Sequence, residues 1–199
     1  MARVKICGIN SPEDVEIVNE LKPDYVSFAF YKNKRQVTYE KARKLKQILD
    51  KDIRVIGVFV DENTNVVASA ANDDLLDVIE FHGNEGPGEI ERIKAFTEKP
   101  IIQGFRIRSR GDVELALDSH ADSILMYSDS ESGIPMDWKL LMNVTRPYFL
   151  AGGLNADNIE KAIKICHPFA VSVTTGVETD GIKDREKMAA FIKMARRTK

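Results

Sequence analysis

Lys5-Ile6-Cys7-Gly8-Ile9, followed by Asn10 and Ser11-Pro12-Glu13-Asp14, reads as a strand that stops abruptly and hands over to a helix. Side chains alternate along a strand, so Arg3, Lys5 and Cys7 share one face and Val4 and Ile6 the other. The apolar pair calls for helices behind it. The opposite face then carries a cation and a thiol two residues apart, near the carboxyl end of the strand. Gly8 lets the backbone bend or a ligand come close. Ser11 suits an N-cap, Pro12 the first helical position and Asp14 the acid of a capping box. A free cysteine is by default a small hydrophobe, so Cys7 needs support from elsewhere before chemistry is assigned to it.

Outward from this stretch, short apolar runs alternate with amphipathic ones. Eight strands are expected, at 4–9, 25–30, 55–60, 78–81, 101–105, 123–127, 148–151 and 169–173. Helices fall between them, at 39–49, 63–72, 89–96, 110–117 and 137–143. Ile159, Ala162, Ile163 and Cys166 form an i, i+3, i+4, i+7 stripe, as do Met188, Phe191, Ile192 and Ala195. Cys166 is thereby a packing residue. Parallel neighbours need a helical crossover, and eight such units in 199 residues fit a single-domain α/β fold, a compact (β/α)8 TIM barrel spanning 1–199. A doubly wound open sheet is the competing architecture. It usually carries a G-x-G-x-x-G turn after its first strand, and none follows Ile9.

Composition narrows the function classes. Net charge is −2, with 43% hydrophobic and 30% charged residues, ordinary for a globular protein. No basic patch argues for nucleic acid. No apolar run approaches the ~18–20 residues of a membrane span, and the N-terminus enters a strand with no signal peptide. Cys7 and Cys166 fit no metal-ligand spacing and no disulfide framework. A cytoplasmic protein without a metal site is expected, as a monomer or homodimer.

In a barrel, chemistry gathers where strands end. Gly152-Gly153 closes strand seven, and Thr174-Thr175-Gly176 closes strand eight. Glycines let backbone N–H groups approach an anion and hydroxyls add donors, so these adjacent turns are read as a phosphate site. Arg35 lies in a charged loop after strand two, either as solvated surface or as a clamp for a carboxylate or phosphate. Glu80 and His82 share an inward face. A lone ionised Glu there is costly unless paired, and Lys5 is the partner expected. His82 is given an ordering hydrogen bond, and Lys5 and His82 are both kept among the substrate-binding residues.

These pieces resemble the phosphoribosylanthranilate isomerase family. The similar motifs are Lys5-Ile6-Cys7-Gly8-Ile9, Phe30-Tyr31 with Lys34-Arg35, Gly57-Val58-Phe59-Val60, Phe81-His82-Gly83, Asp137-Trp138, Ala151-Gly152-Gly153-Leu154-Asn155, and Gly176-Val177-Glu178 with Lys183-Asp184. They occur in order along almost the whole chain. The resemblance implies a small barrel that needs no cofactor and acts on a sugar phosphate by an Amadori rearrangement. It implies Cys7 as general base, Arg35 on the anthranilate carboxylate, and Gly152, Gly153, Thr174, Thr175 and Gly176 around the phosphate.

The chain departs from the family pattern in places. Leu125-Met126-Tyr127 stands where the family has Leu-Leu-Asp, whose Asp is the general acid. Glu80 replaces a Gln, Ser172 an Asp, Thr174-Thr175 two serines and Asn10 a Thr. Tyr127, Asp129 or Glu131 could supply the proton instead. Two further readings stay open: a catalytically silent relative that binds a phosphorylated ligand, and an isomerase for a different aglycone, suggested by Arg106 and Arg108.

Overall fold

The computed structural model describes residues 1–128 and 136–198. Eight parallel strands close into a barrel: β1 (Arg3–Cys7), β2 (Tyr25–Ala29), β3 (Arg54–Phe59), β4 (Val78–Phe81), β5 (Ile101–Arg106), β6 (Ser123–Tyr127), β7 (Tyr148–Ala151) and β8 (Ala170–Val173). Around them lie α1 (Pro12–Leu21), α2 (Tyr39–Ile48), α3 (Thr64–Asn72), α4 (Pro87–Lys94), α5 (Arg110–Leu117), α6 (Ile159–Cys166) and α7 (Arg185–Arg197). Closure is made by β8 against β1, with Lys5 opposite Ser172, and on the other side Lys5 pairs Tyr25. The first crossover starts as the sequence reads: Ser11 accepts from the Asp14 N–H, and the Asp14 carboxylate accepts from the Ser11 N–H in return. That satisfies two of the donors a helix start leaves open.

Strand alternation sorts the side chains into two apolar layers. Val4, Ile6, Val26, Phe28, Ile79, Phe81, Ile124 and Met126 face outward under the helices. Tyr25, Ile56, Val58, Val78, Ile102, Leu125, Phe149 and Ala170 fill the barrel's lower interior, the packed layer that closes such a barrel. Cys166 lies in the outer core at 3% exposure, and burial pushes its thiol up to about 11, the Tyr148 contact opposing.

One element differs from expectation. The helix expected at 137–143 is a single 3-10 turn, Trp138–Leu141, capped by the Asp137 carboxylate accepting from the Lys139 N–H. Only Leu141 of this turn is fully buried, too small an apolar stripe to drive an α-helix. After β8 the chain adds features that alternation does not signal: a 3-10 turn at Thr175–Val177 and a small antiparallel ribbon, β9 (Glu178–Thr179) with β10 (Ile182–Lys183).

Candidate active site

The upper interior of the barrel is polar and builds from β1. Lys5 is fully buried, and its Nζ donates to both oxygens of Glu80, at 2.6 and 2.5 Å. The Glu80 Oε1 also meets the His82 Nε2 at 2.9 Å. Burial alone pushes the Glu80 carboxyl up, but the Lys5 charge and the His82 hydrogen bond hold it well below the usual carboxylate range. Burial likewise pulls the Lys5 ammonium down. The charges of Cys7 and Glu80 outweigh that pull and raise it above 10.5. The pair is therefore ionised, as a buried ion pair with good geometry can be.

One turn higher, the Cys7 Sγ lies 2.9 Å from the Ser172 Oγ. A cavity of about 160 Å³ opens here, lined by Cys7, Tyr127, Ser128, Gly152, Gly153 and Thr175, with His82, Ser172 and Thr174 at its walls. Gly152 (φ 93°) and Gly153 (φ 62°) adopt left-handed backbone, which glycine alone takes without strain. A Cβ on Gly152 would meet the Ser128 backbone N at 2.6 Å. The Ser128 hydroxyl is buried beside it with no hydrogen-bond partner among the described residues. Gly176 lies behind this wall, packed on the Leu154 carbonyl. The Tyr127 and His82 rings stand 5.2 Å apart. Burial raises the Tyr127 phenol above 10 against the pull of Arg106 and Arg108, so it holds its proton at neutral pH.

A second compartment of about 130 Å³ adjoins the first through Cys7, Tyr31, Glu80, His82 and Thr174, and reaches Gly8, Asn33 and Arg35. Arg35 is not loose surface. Its Nε donates to Glu178 Oε1 at 2.7 Å and its Nη2 pairs with Glu178 Oε2. Lys183 Nζ donates to the same Oε1 at 2.6 Å.

The structure thus brings Cys7, Tyr127, His82, Gly152, Gly153, Thr174 and Thr175 to one cavity and Arg35 to its extension. Lys5 lines neither space and is paired with Glu80. Asp129 and Glu131 lie outside the described residues. Among the described residues, no group of three or more His, Cys, Asp and Glu is placed to hold a metal ion, and no helix is long and apolar enough to cross a membrane. Sequence reasoning assigned nothing to Ser128, Glu178 or Lys183. Glu178 and Lys183 stand in a quoted motif, but only the fold shows that they meet Arg35 from the far end of the chain.

A family model described as N-(5'phosphoribosyl)anthranilate (PRA) isomerase matches residues 4–194. This chain belongs to that family. The N-(5'-phosphoribosyl)anthranilate isomerase of Thermoanaerobacter pseudethanolicus is 42% identical over 98% of each chain. The solved phosphoribosyl anthranilate isomerase of Thermotoga maritima superposes with a TM-score of 0.90 at 33% identity, covering 98% of this chain and 99% of that one. A phosphoribosyl anthranilate isomerase solved in complex with reduced 1-(o-carboxyphenylamino)-1-deoxyribulose 5-phosphate gives 0.88 at 34% identity with the same coverage. Such end-to-end similarity favours the isomerase reading over a silent relative or an altered aglycone. The carboxylate that meets Lys5 in the polar core is carried on β4, as Glu80, while Ser172 stands opposite Lys5 on β8.

Proposed function

We propose that this chain is the N-(5'-phosphoribosyl)anthranilate isomerase of tryptophan biosynthesis and that Cys7 and Tyr127 carry its proton transfers. The phosphate of the substrate sits on the backbone N–H groups and hydroxyls of Gly152, Gly153, Thr174, Thr175 and Gly176, with Ser128 adding a donor. Arg35 takes the anthranilate carboxylate at the other end. The Tyr127 phenol protonates the furanose oxygen as the C1–O bond breaks, leaving a Schiff base between C1 and the amine nitrogen. The Cys7 thiolate removes the C2 proton, and the electron pair moves to form an enolamine. Loss of the C2 hydroxyl proton and protonation at C1 yield the aminoketone. Atoms are conserved throughout and no oxidant enters. Ser172 orients the sulfur, and Lys5, held by Glu80, lies beneath it on the same strand face. A free thiol in this role suits a reducing, cytoplasmic setting.

The observation that supports this reading most is that sulfur, phenol and glycine turns line one cavity. The test is turnover of phosphoribosylanthranilate by the wild type, Tyr127→Phe and Tyr127→Asp. Wild-type turnover is expected, with a loss of about 10²–10⁴ in Tyr127→Phe, the usual weight of a general acid, and activity retained in Tyr127→Asp. An inactive wild type would refute the function, and an unimpaired Tyr127→Phe would refute the phenol as donor.

A further inference from the structure

The Arg35 guanidinium is held from two sides. Its stem runs over Gly8, whose φ is 70° and where an added Cβ would come within 2.5 Å of the Arg35 Cδ. Its head rests on Glu178 through Nε and Nη2. A guanidinium carries five N–H donors in a rigid planar fork. Glu178 uses the side edge, Nε with one Nη2 hydrogen. The outer edge, Nη1 with the second Nη2 hydrogen, stays able to take another carboxylate in a two-point contact.

Glu178 is itself fixed on every side. Its side chain is 5% exposed. Lys183, opposite it in the β9–β10 ribbon, donates to Oε1, and Lys187 Nζ donates to the Glu178 carbonyl at 2.8 Å. Burial pushes the Glu178 carboxyl up, but Arg35 and Lys183 pull it lower still, below 4.5, so it is charged at neutral pH. Lys183 Nζ also reaches the Thr174 carbonyl at 3.4 Å, which links this cluster to the phosphate turn. The three side chains sum to one net positive charge, which an incoming carboxylate would balance.

The geometry points to Glu178 as a positioning residue that presents the outer edge of Arg35 to the carboxylate of the substrate's aromatic amine. This rests on the assignment of Arg35 made above. Glu178 touches no substrate in this scheme. It removes the rotational freedom of a long side chain before the ligand arrives, so that little ordering is left to the binding step.

Calorimetry with two ligands tests it: reduced 1-(o-carboxyphenylamino)-1-deoxyribulose 5-phosphate and its phenylamino counterpart, which lacks the carboxylate. Wild type should bind the first more tightly. Glu178→Gln should weaken the first by about tenfold or more, the scale of a lost charge-assisted hydrogen bond, and the second by less than about twofold. Glu178→Asp, which keeps the charge but shortens the reach, should fall between, and it carries the test if the Gln variant does not fold. Equal weakening of both ligands would mean a merely structural acid and overturn the inference. So would a carboxylate preference left intact in both variants. A wild type without any carboxylate preference would instead overturn the Arg35 assignment, and the inference with it.

Discussion

Replacing Glu80 by Gln removes the only charge that Lys5 meets at hydrogen-bond distance among the described residues, at a site where both side chains are 0–1% exposed. Breaking a buried pair from one side costs about 3–5 kcal/mol, because the remaining charge has lost its partner but not regained water. The Gln oxygen keeps one hydrogen bond to Nζ, so the low end, about 3 kcal/mol, applies. For a chain of this length that is a fall of about 6–12 °C in Tm. The second half of the experiment restores the charge elsewhere. Ser172 pairs with Lys5 in register across β1 and β8, so a carboxylate placed there would stand beside the same ammonium. Ser172→Asp in the Glu80→Gln background should therefore recover at least half of the loss. Denaturant unfolding at pH 7 reads both changes. The acid limb adds a sign. Glu80 ionises below its ordinary 4.5 in the folded chain, so in the wild type its contribution is present above that pH and lost as pH falls through the lower folded value. Glu80→Gln should flatten this limb. A cost under about 1 kcal/mol, or strictly additive losses in the double variant, would refute the ion-pair account.

Two further outcomes follow from local geometry. Gly176→Ala drives a methyl into the Leu154 carbonyl and forces the turns after β7 and β8 apart. KM for the substrate and the inhibition constant of inorganic phosphate should both rise by about tenfold or more, since misplacement by 1 Å can cost ~10²; wild-type values would contradict the phosphate assignment. Arg146 donates to the carbonyls of Leu117, Ser119 and Ala121 at 2.9, 3.0 and 2.5 Å, joining the end of α5 to the start of β6 below the barrel. Arg146→Met should lower stability by about 2–3 kcal/mol in equilibrium unfolding and leave kcat unchanged; a stable variant would show those carbonyls are solvated instead.

Period-two alternation made most of the barrel legible. It put Lys5, Cys7, Glu80 and His82 on inward faces, and from there the Lys5–Glu80 partnership followed because a buried carboxylate needs a cation. Glycine and hydroxyl turns at strand ends marked one wall of the cavity, the wall to which the phosphate is assigned. The segment at 137–143 misled because its few apolar residues fit a helix stripe over one turn only. Arg35 was ambiguous for a different reason. Its partner, Glu178, lies 143 positions away on a ribbon after the last strand, where no periodicity operates. Ser128 carried no signal at all: an orphan hydroxyl is visible only once its surroundings are packed.

The sulfur of Cys7 is the group proposed to take the C2 proton. The direct measurement is kcat/KM for phosphoribosylanthranilate with the wild type and Cys7→Ala, alongside the affinity of each for reduced 1-(o-carboxyphenylamino)-1-deoxyribulose 5-phosphate. The expected result is a fall of at least about 10³ in kcat/KM, near the upper range for a proton-transfer group, with binding of the reduced compound kept within a few fold. Turnover by Cys7→Ala at the wild-type rate would contradict it.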